Sequence, residues 1–225
     1  MQASGAPKPI RRRIPGDERR RLIIEFAARL FSRHGFGGTT TREIARAVGV
    51  SEATIFKHFA SKEALYTAII EIKAHAQREH VLGIIKPLAE ARDDAALLRR
   101  LAIELIERTQ SDPTFMRLLF FSALEGHAMA DLIFRQRVQT IDVILGRYFA
   151  ERIAAGEFRP ADPLQMAWNF IGMVTFHVLR HELFGQEPPP HLTRELAVEE
   201  MVTTFLRGVR SGRGEVSGPV HGPPS

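Results

Sequence analysis

The sequence contains no cysteine. Disulfides, thiolate catalysis and cysteine-ligated zinc are therefore excluded, and a reducing compartment fits that usage. It also lacks any run approaching the ~20 apolar residues that a bilayer span requires. The richest apolar stretch, Leu118 to Leu124, is short and has polar neighbours. Basic residues near the N-terminus are followed by no apolar segment, so no secretory signal is expected. Together these absences lead to the expectation of a cytoplasmic protein with no membrane partner. Strand-like alternation and internal repeats are missing too, which leaves an all-α chain. No Gly-rich phosphate loop and no nucleophile–base constellation can be found, so an enzyme is not expected. No cofactor is implied. His177 and His181 are spaced i,i+4 beside Glu182 and could ligate a metal, but no third ligand is evident nearby. A surface or interface pair is the plainer reading, and no metal site is expected.

The 225 residues suffice for one large or two modest domains with a substantial core. Net charge is +5, and its distribution is more telling. Residues 1–62 carry 13 Lys/Arg against 5 Asp/Glu, a balance of +8. Of 31 basic and 26 acidic residues overall, that leaves 18 and 21 for the remainder, a balance of −3. A basic first third on an acidic remainder points to a polyanionic partner for one part of the chain. A solvated basic face without a partner is the alternative.

Residues 1–15, rich in Gly, Pro and Arg, read as a disordered basic arm. Arg11, Arg12 and Arg13 could follow phosphates or enter a minor groove, or merely solubilise. From Asp17 a helical pattern begins with acid in its first turn. Ile23, Phe26, Ala27, Leu30 and Phe31 make its apolar stripe, and Gly35, Gly37 and Gly38 stop it. Thr40-Thr41-Arg42-Glu43 matches a capping box, in which hydroxyl and carboxylate reciprocally satisfy backbone N–H groups. Ile44, Ala45 and Val48 form the inward face of the helix that follows. Gly49 permits a turn, Val50 plugs it and Ser51 caps a second short helix. On that helix Ile55 and Phe59 face inward, while Glu52, Ala53, Thr54, Lys57 and His58 face outward. Two short helices about a glycine turn predict a helix-turn-helix, whose second helix offers N-terminal residues to the major groove.

Over residues 17–65 the sequence resembles the TetR family of transcriptional regulators. The resemblance rests on Gly35-Phe36, Thr39, Ile44-Ala45, Gly49-Val50-Ser51, Thr54, His58-Phe59, Ser61-Lys62 and Leu65. Beyond residue 80 only the layout of several helices agrees. The resemblance implies a three-helix DNA-binding head on a larger helical ligand-binding and dimerisation body. It places Arg42 and Glu52 where base edges are read: arginine can pair bidentately with guanine, and glutamate can accept from the cytosine amino group. Thr41, Thr54, His58 and Lys62 fall where phosphates are contacted. Ala53 replaces a common glycine. Phe56 departs from a usual tyrosine whose hydroxyl reaches DNA, and its ring could meet a thymine methyl instead. With Lys57, these nine residues are the candidate DNA-binding set. A solvated helix face is the alternative for each, most of all for Glu52.

The expected division is a head over 16–75, a body over 76–210 and a disordered Gly/Pro-rich tail over 211–225. A long helix should run from Lys62 past Ile72 towards His80, with Pro87 marking an interruption. In the resembled family this helix transmits the ligand signal. Further helices are predicted over Asp93–Gln110, after Pro113, over Ala128–Ala155, from Pro163, and over Arg194–Val209. The one from Pro163 is apolar nearly all round, which implies contact on more than one side. The resemblance implies a homodimer on a palindromic, double-stranded DNA operator. The predicted interface is 163–183 with 194–209, including the stripe Val198, Met201, Val202, Phe205 and Val209; intrachain core is the alternative for both stripes. The resemblance also implies a pocket for a small-molecule, largely apolar effector, with Phe115, Met116, Leu119, Phe120, Trp168, Met173 and Phe176 as candidate lining and Asn169 and His177 as polar selectors. An ordinary core is the alternative here too. The function so reached is a DNA-binding repressor released by its effector, set against a helical scaffold or nucleoid-type protein that binds DNA without sequence preference.

Overall fold

The computed structural model describes residues 15–124 and 139–211. They form nine α-helices and, among the described residues, no strand beyond an isolated bridge between Phe158 and Arg210. Two compact units divide after Ile70. The three-arginine arm, Leu132, Ile133 and Val138 of the expected 128–155 helix, and the tail beyond Ser211 lie outside the described residues.

The first unit opens with α1, Gly16–His34, which has Asp17 and Glu18 in its first turn and Arg33 and His34 in its last. Both placements suit the helix dipole. Its buried face is Ile23, Ala27, Ala28 and Phe31. Phe26 and Leu30, expected on the same stripe, are only half-buried. Gly35 ends the helix at φ 72°. Three residues on, a Cβ at Gly38 would collide with the His34 carbonyl oxygen, so only glycine fits that return. Buried Thr39 donates its hydroxyl to the Gly35 carbonyl at 2.9 Å. Then follow α2, Thr41–Val48, α3, Glu52–His58, and the start of α4, Lys62–Glu90. Phe31, Phe36 and Tyr66 pack with centroids 5.0 to 5.7 Å apart. Each such buried ring contributes on the order of 1.5–3 kcal/mol.

Contrary to expectation, Pro87 does not interrupt α4, which continues to Glu90. The proline lies one turn from the helix end, so the lost N–H removes a single bond. Its carbonyl still accepts from Ala91 N at 3.2 Å. Arg92, at φ 54°, turns the chain away.

The second unit is a helical body. It comprises the later part of α4 with α5, Asp94–Ser111, α6, Thr114–Leu124, and α7, described over Gln139–Ala154. The last two helices are α8, Pro163–Val178, and α9, Arg194–Val209. Asp162 caps α8 and Pro163 occupies its first turn, where a missing N–H costs nothing. A π-helical turn, Leu179–Leu183, extends α8. The core draws on Leu97, Leu101, Phe149, Phe158, Phe170, Val174, Val198, Val202 and Phe205. Phe205 packs on Phe149 and Phe170 at 5.5 and 5.2 Å. The α9 stripe of Val198, Val202, Phe205 and Val209 is therefore filled by the chain itself, with Met201 against its edge.

Two buried carboxylates behave differently. Asp94, at the start of α5, receives the Tyr148 hydroxyl and lies 2.8 Å from the Arg152 Nε. That cluster ties α5 to α7. Burial, reinforced by Asp94, pushes the Tyr148 phenol well above its usual range. Asp142 on α7 is 1% exposed, and neither of its oxygens accepts a hydrogen bond of ordinary geometry. Burial pushes its carboxyl up to about 6, against a smaller opposing pull from the Trp168 indole.

A folded-state pKa above the ordinary 3.8 means that the native protein holds the proton more tightly than the unfolded chain. Stability should fall as pH rises from about 4 to about 6 and stay reduced at neutral pH. Asp142→Asn keeps the shape and removes the charge. It is expected to stabilise the protein at pH 7.5 by about 1–3 kcal/mol and to flatten that slope. Urea unfolding at pH 4.5 and 7.5 measures this; equal stabilities of variant and parent at pH 7.5 would contradict it.

Candidate nucleic-acid interface

The α2–turn–α3 segment is fixed by hydrogen bonds at both helix starts. Thr40 Oγ1 accepts from Glu43 N at 3.2 Å, and Glu43 Oε2 accepts from Thr40 N at 2.8 Å. Thr40's backbone N–H and hydroxyl hold the Glu43 carboxyl below the usual carboxylate range. Gly49 ends α2 in the left-handed region at φ 77°, a conformation that costs a side-chain-bearing residue energy. Val50 N then returns to the Ala45 carbonyl at 2.9 Å. Ser51 caps α3 through Thr54 N at 3.2 Å. Ile44, Ala45, Ile55 and Phe59 are buried beneath.

These constraints set what is left outside. Arg42, Glu52, Ala53, Phe56 and Lys57 are exposed, while Thr41, Thr54, His58 and Lys62 are half-buried. The set therefore comes together on α2, α3 and the first turn of α4. Its members are not equally free. The Thr41 hydroxyl donates to the Glu52 carboxylate, joining the first turns of α2 and α3. The Thr54 hydroxyl lies 2.8 Å from Ser51 Oγ, within the cap. The Lys62 ammonium sits 4.2 Å from the Phe36 ring centroid, a cation–π contact. Arg42 and Lys57, by contrast, extend without a side-chain partner among the described residues. Arg20, over the Phe59 ring at 5.0 Å, and exposed Arg46 add charge that the motif reading did not include.

The residues expected around an effector divide by element. On α6 Phe115 is buried, and Met116, Leu119 and Phe120 are half-buried. On α8 Trp168, Asn169 and Phe176 face outward; Trp168 is 46% and Phe176 60% exposed. Asn169 Oδ1 accepts from Gln165 Nε2 at 3.0 Å. Met173 and His177 are half-buried between these faces. His177 and His181 stack edge to face at 4.6 Å, and the His181 Nδ1 meets the Gln186 carbonyl. Desolvation first, then His181 and Arg180, lowers the His177 pKa and favours its neutral form. Among the described residues there is no group of three or more metal-ligating side chains. A groove of about 490 Å³ lies between α4 and α5, lined by Gly83, Ile84, Pro87, Leu88, Ala96, Arg99, Arg100 and Ile103. None of the nine expected effector residues lines it. Among the described residues, no helix is long and apolar enough to cross a membrane.

Comparison with known proteins bears on both units. Residues 23–69 match the model of bacterial regulatory proteins of the tetR family. Residues 96–208 match the C-terminal domain of AefR-like transcriptional repressors. The HTH-type transcriptional repressor Rv1474c of Mycobacterium tuberculosis is 33% identical over 104 residues. That alignment covers 44% of this chain and 55% of the relative, so the chain spans only about half of its length. The nucleoid occlusion factor SlmA of Vibrio atlanticus is 28% identical over 161 residues, covering 70% of this chain and 80% of its own. Among solved structures, AibR in complex with isovaleryl coenzyme A and operator DNA superposes with a TM-score of 0.62 at 27% identity. That superposition covers 83% of this chain and 97% of AibR.

The free guanidinium of Arg42 should act on base edges. Arg42→Ala is expected to cost roughly 1–3 kcal/mol at one base pair per half-site, with little change on unrelated DNA. Competition binding against single-base variants measures this, and an equal loss on all sequences would place Arg42 on phosphate.

Proposed function

Because the chain belongs to the TetR family of bacterial regulatory proteins, we propose that it is a transcriptional repressor which binds a palindromic operator as a homodimer. In this reading a small molecule held in the body releases the dimer from DNA. The observation that carries the reading is the capped α2–α3 pair, which leaves Arg42, Ala53, Phe56 and Lys57 exposed together. Arg42 reads base edges, and Thr54, His58 and Lys62 contact phosphate, alongside the basic first third of the chain, while the Thr41 hydroxyl is engaged by Glu52. AibR, crystallised with operator DNA, supports this use of the fold.

A single helix-turn-helix contacts little DNA, so two-fold pairing supplies both affinity and a palindromic target. The exposed side of α8 offers the surface. Trp168, Gly172 and Phe176 recur at four-residue spacing on it, and a side chain at Gly172 would meet open space. Leu196 on α9 is 54% exposed. Trp168, Asn169 and Phe176 are thereby reassigned from an effector pocket to the dimer face. The effector falls to Phe115, Met116, Leu119, Phe120, Met173 and His177, a largely apolar set with one neutral imidazole. An effector that binds a differently spaced dimer more tightly would shift the population away from DNA. The isovaleryl coenzyme A carried by AibR supports an effector of small-molecule class.

A second reading, a DNA-binding protein of nucleoid type, has the SlmA similarity in its favour. Footprinting on the DNA upstream of the protein's own gene separates the two. A protected palindrome is expected; uniform, strongly salt-dependent coating would favour the second. For the dimer, Phe176→Asp is expected to give monomers by sedimentation, with the helical signal retained. Phe205 is unsuitable for that purpose, since a charge there enters the body's own core. A Phe176→Asp protein that stayed dimeric would remove α8 from the interface.

A further inference from the structure

The end of α8 carries a feature that DNA binding does not use. There the helix gives way to the π-helical turn Leu179–Leu183, in which Phe184 N donates to the Leu179 carbonyl at 3.1 Å. Such turns are rare and frequently mark functional sites. Gly185 follows at φ 62°, and Gln186 N returns to the Arg180 carbonyl at 3.0 Å. This return brings the Gln186 carbonyl onto Nδ1 of His181.

A carbonyl oxygen can only accept, so Nδ1 is the nitrogen that carries the proton in that contact. In the neutral ring Nε2 then holds the lone pair. Proteins prepare metal-ligating histidines in this way, with a backbone carbonyl fixing tautomer and ring orientation. One turn earlier, His177 makes no hydrogen bond among the described residues, so its ring nitrogens have no competing partner. The two rings lie with centroids 4.6 Å apart. Two imidazoles on one ion, with metal–nitrogen bonds of about 2.0–2.1 Å, have ring centres about 4.5–5.2 Å apart. Both histidines are half-buried, which restrains them and still admits an ion from solvent. The i,i+4 spacing alone offered two ligands. The structure adds a fixed tautomer, a free second ring and a fitting separation.

We infer that His177 and His181 chelate a divalent transition-metal ion of the kind that favours imidazole, such as zinc or nickel, with water in its remaining positions. The site shares His177 with the proposed effector residues and otherwise stands apart from the regulator reading.

The probe is zinc or nickel ion alone, titrated calorimetrically into the untagged full-length chain at neutral pH, with magnesium ion as the control. A single ion per chain is expected for zinc and for nickel, and no binding of magnesium, which prefers oxygen ligands. The chain has nine histidines, so the deciding readout is the difference between parent and variants. His177→Ala and His181→Ala should each abolish that binding. Gly185→Ala keeps both ligands but strains the return that orients His181, and should weaken binding roughly 10–100-fold. Zinc should also raise the thermal unfolding midpoint of the parent and leave those of the two alanine variants unmoved. Should an alanine variant lose its helical signal, His177→Phe keeps a ring without its nitrogens, and the same comparison is made with it.

Binding of equal affinity in the parent and in the His177 and His181 variants would place the ion elsewhere and overturn the site. Absence of zinc and nickel binding to the parent, or magnesium binding of the same strength, would overturn it too. None of these results touches operator binding, which is tested separately by footprinting.

Discussion

Gly49 holds its backbone at φ 77°, and the capped starts of α2 and α3 meet across it. The exposed face of α2 and α3, on which the proposed DNA contacts lie, depends on that junction. A residue with a Cβ could adopt the turn only under strain. Without the turn, Ile44 and Ile55 could not enter one core from two helices. The capping box and Ser51 then settle where each helix begins, and so which residues face outward. Neither helix is long enough to be stable by itself. Their order comes from the hydrogen bonds at their ends and from the burial of Ile44, Ala45 and Ile55. The Thr41–Glu52 bond adds a side-chain link between the two helix starts.

The body solves another problem. Its helices fill an intrachain core, and under the proposed dimer they must also offer a surface for pairing. On α8 the buried line of Met166, Phe170, Val174 and Val178 serves the core. The outward line of Trp168 and Phe176 is left over in one chain. Asp94 accepts from the Tyr148 hydroxyl and from Arg152 Nη2 inside the body, and breaking such a set would leave a charge buried. Asp142 has no comparable arrangement and is held at a cost in stability.

What could be read in the sequence was local. The capping box at Thr40, the glycine turn at Gly49, the serine cap at Ser51 and the proline start at Pro163 each depend on a few neighbouring residues. Each stands in the structure where its spacing put it. Pro87 misled because its effect depends on distance from the helix end, which periodicity does not fix. The α9 stripe and the outward side of α8 are equally apolar in sequence. Only packing separates Phe205, enclosed by Phe149 and Phe170, from Phe176, left in solvent. The Thr41–Glu52 contact joins residues 11 apart across a turn, which no helical or strand period encodes. The body's polar chemistry was hidden for the same reason. Nothing in the pattern distinguishes Asp94 from Asp142, yet Asp94 has a cationic partner and Asp142 has only the Trp168 indole beside it.

The central claim is that this capped pair of short helices reads sequence in two symmetry-related copies. Selection of the purified protein on a random double-stranded DNA pool, followed by sequencing of the bound fraction, tests it most directly. The expected result is a two-fold symmetric motif whose half-sites lie about 34–36 Å apart, or a multiple of that. Bound DNA without any shared motif, retained in proportion to its length and lost with salt, would contradict it.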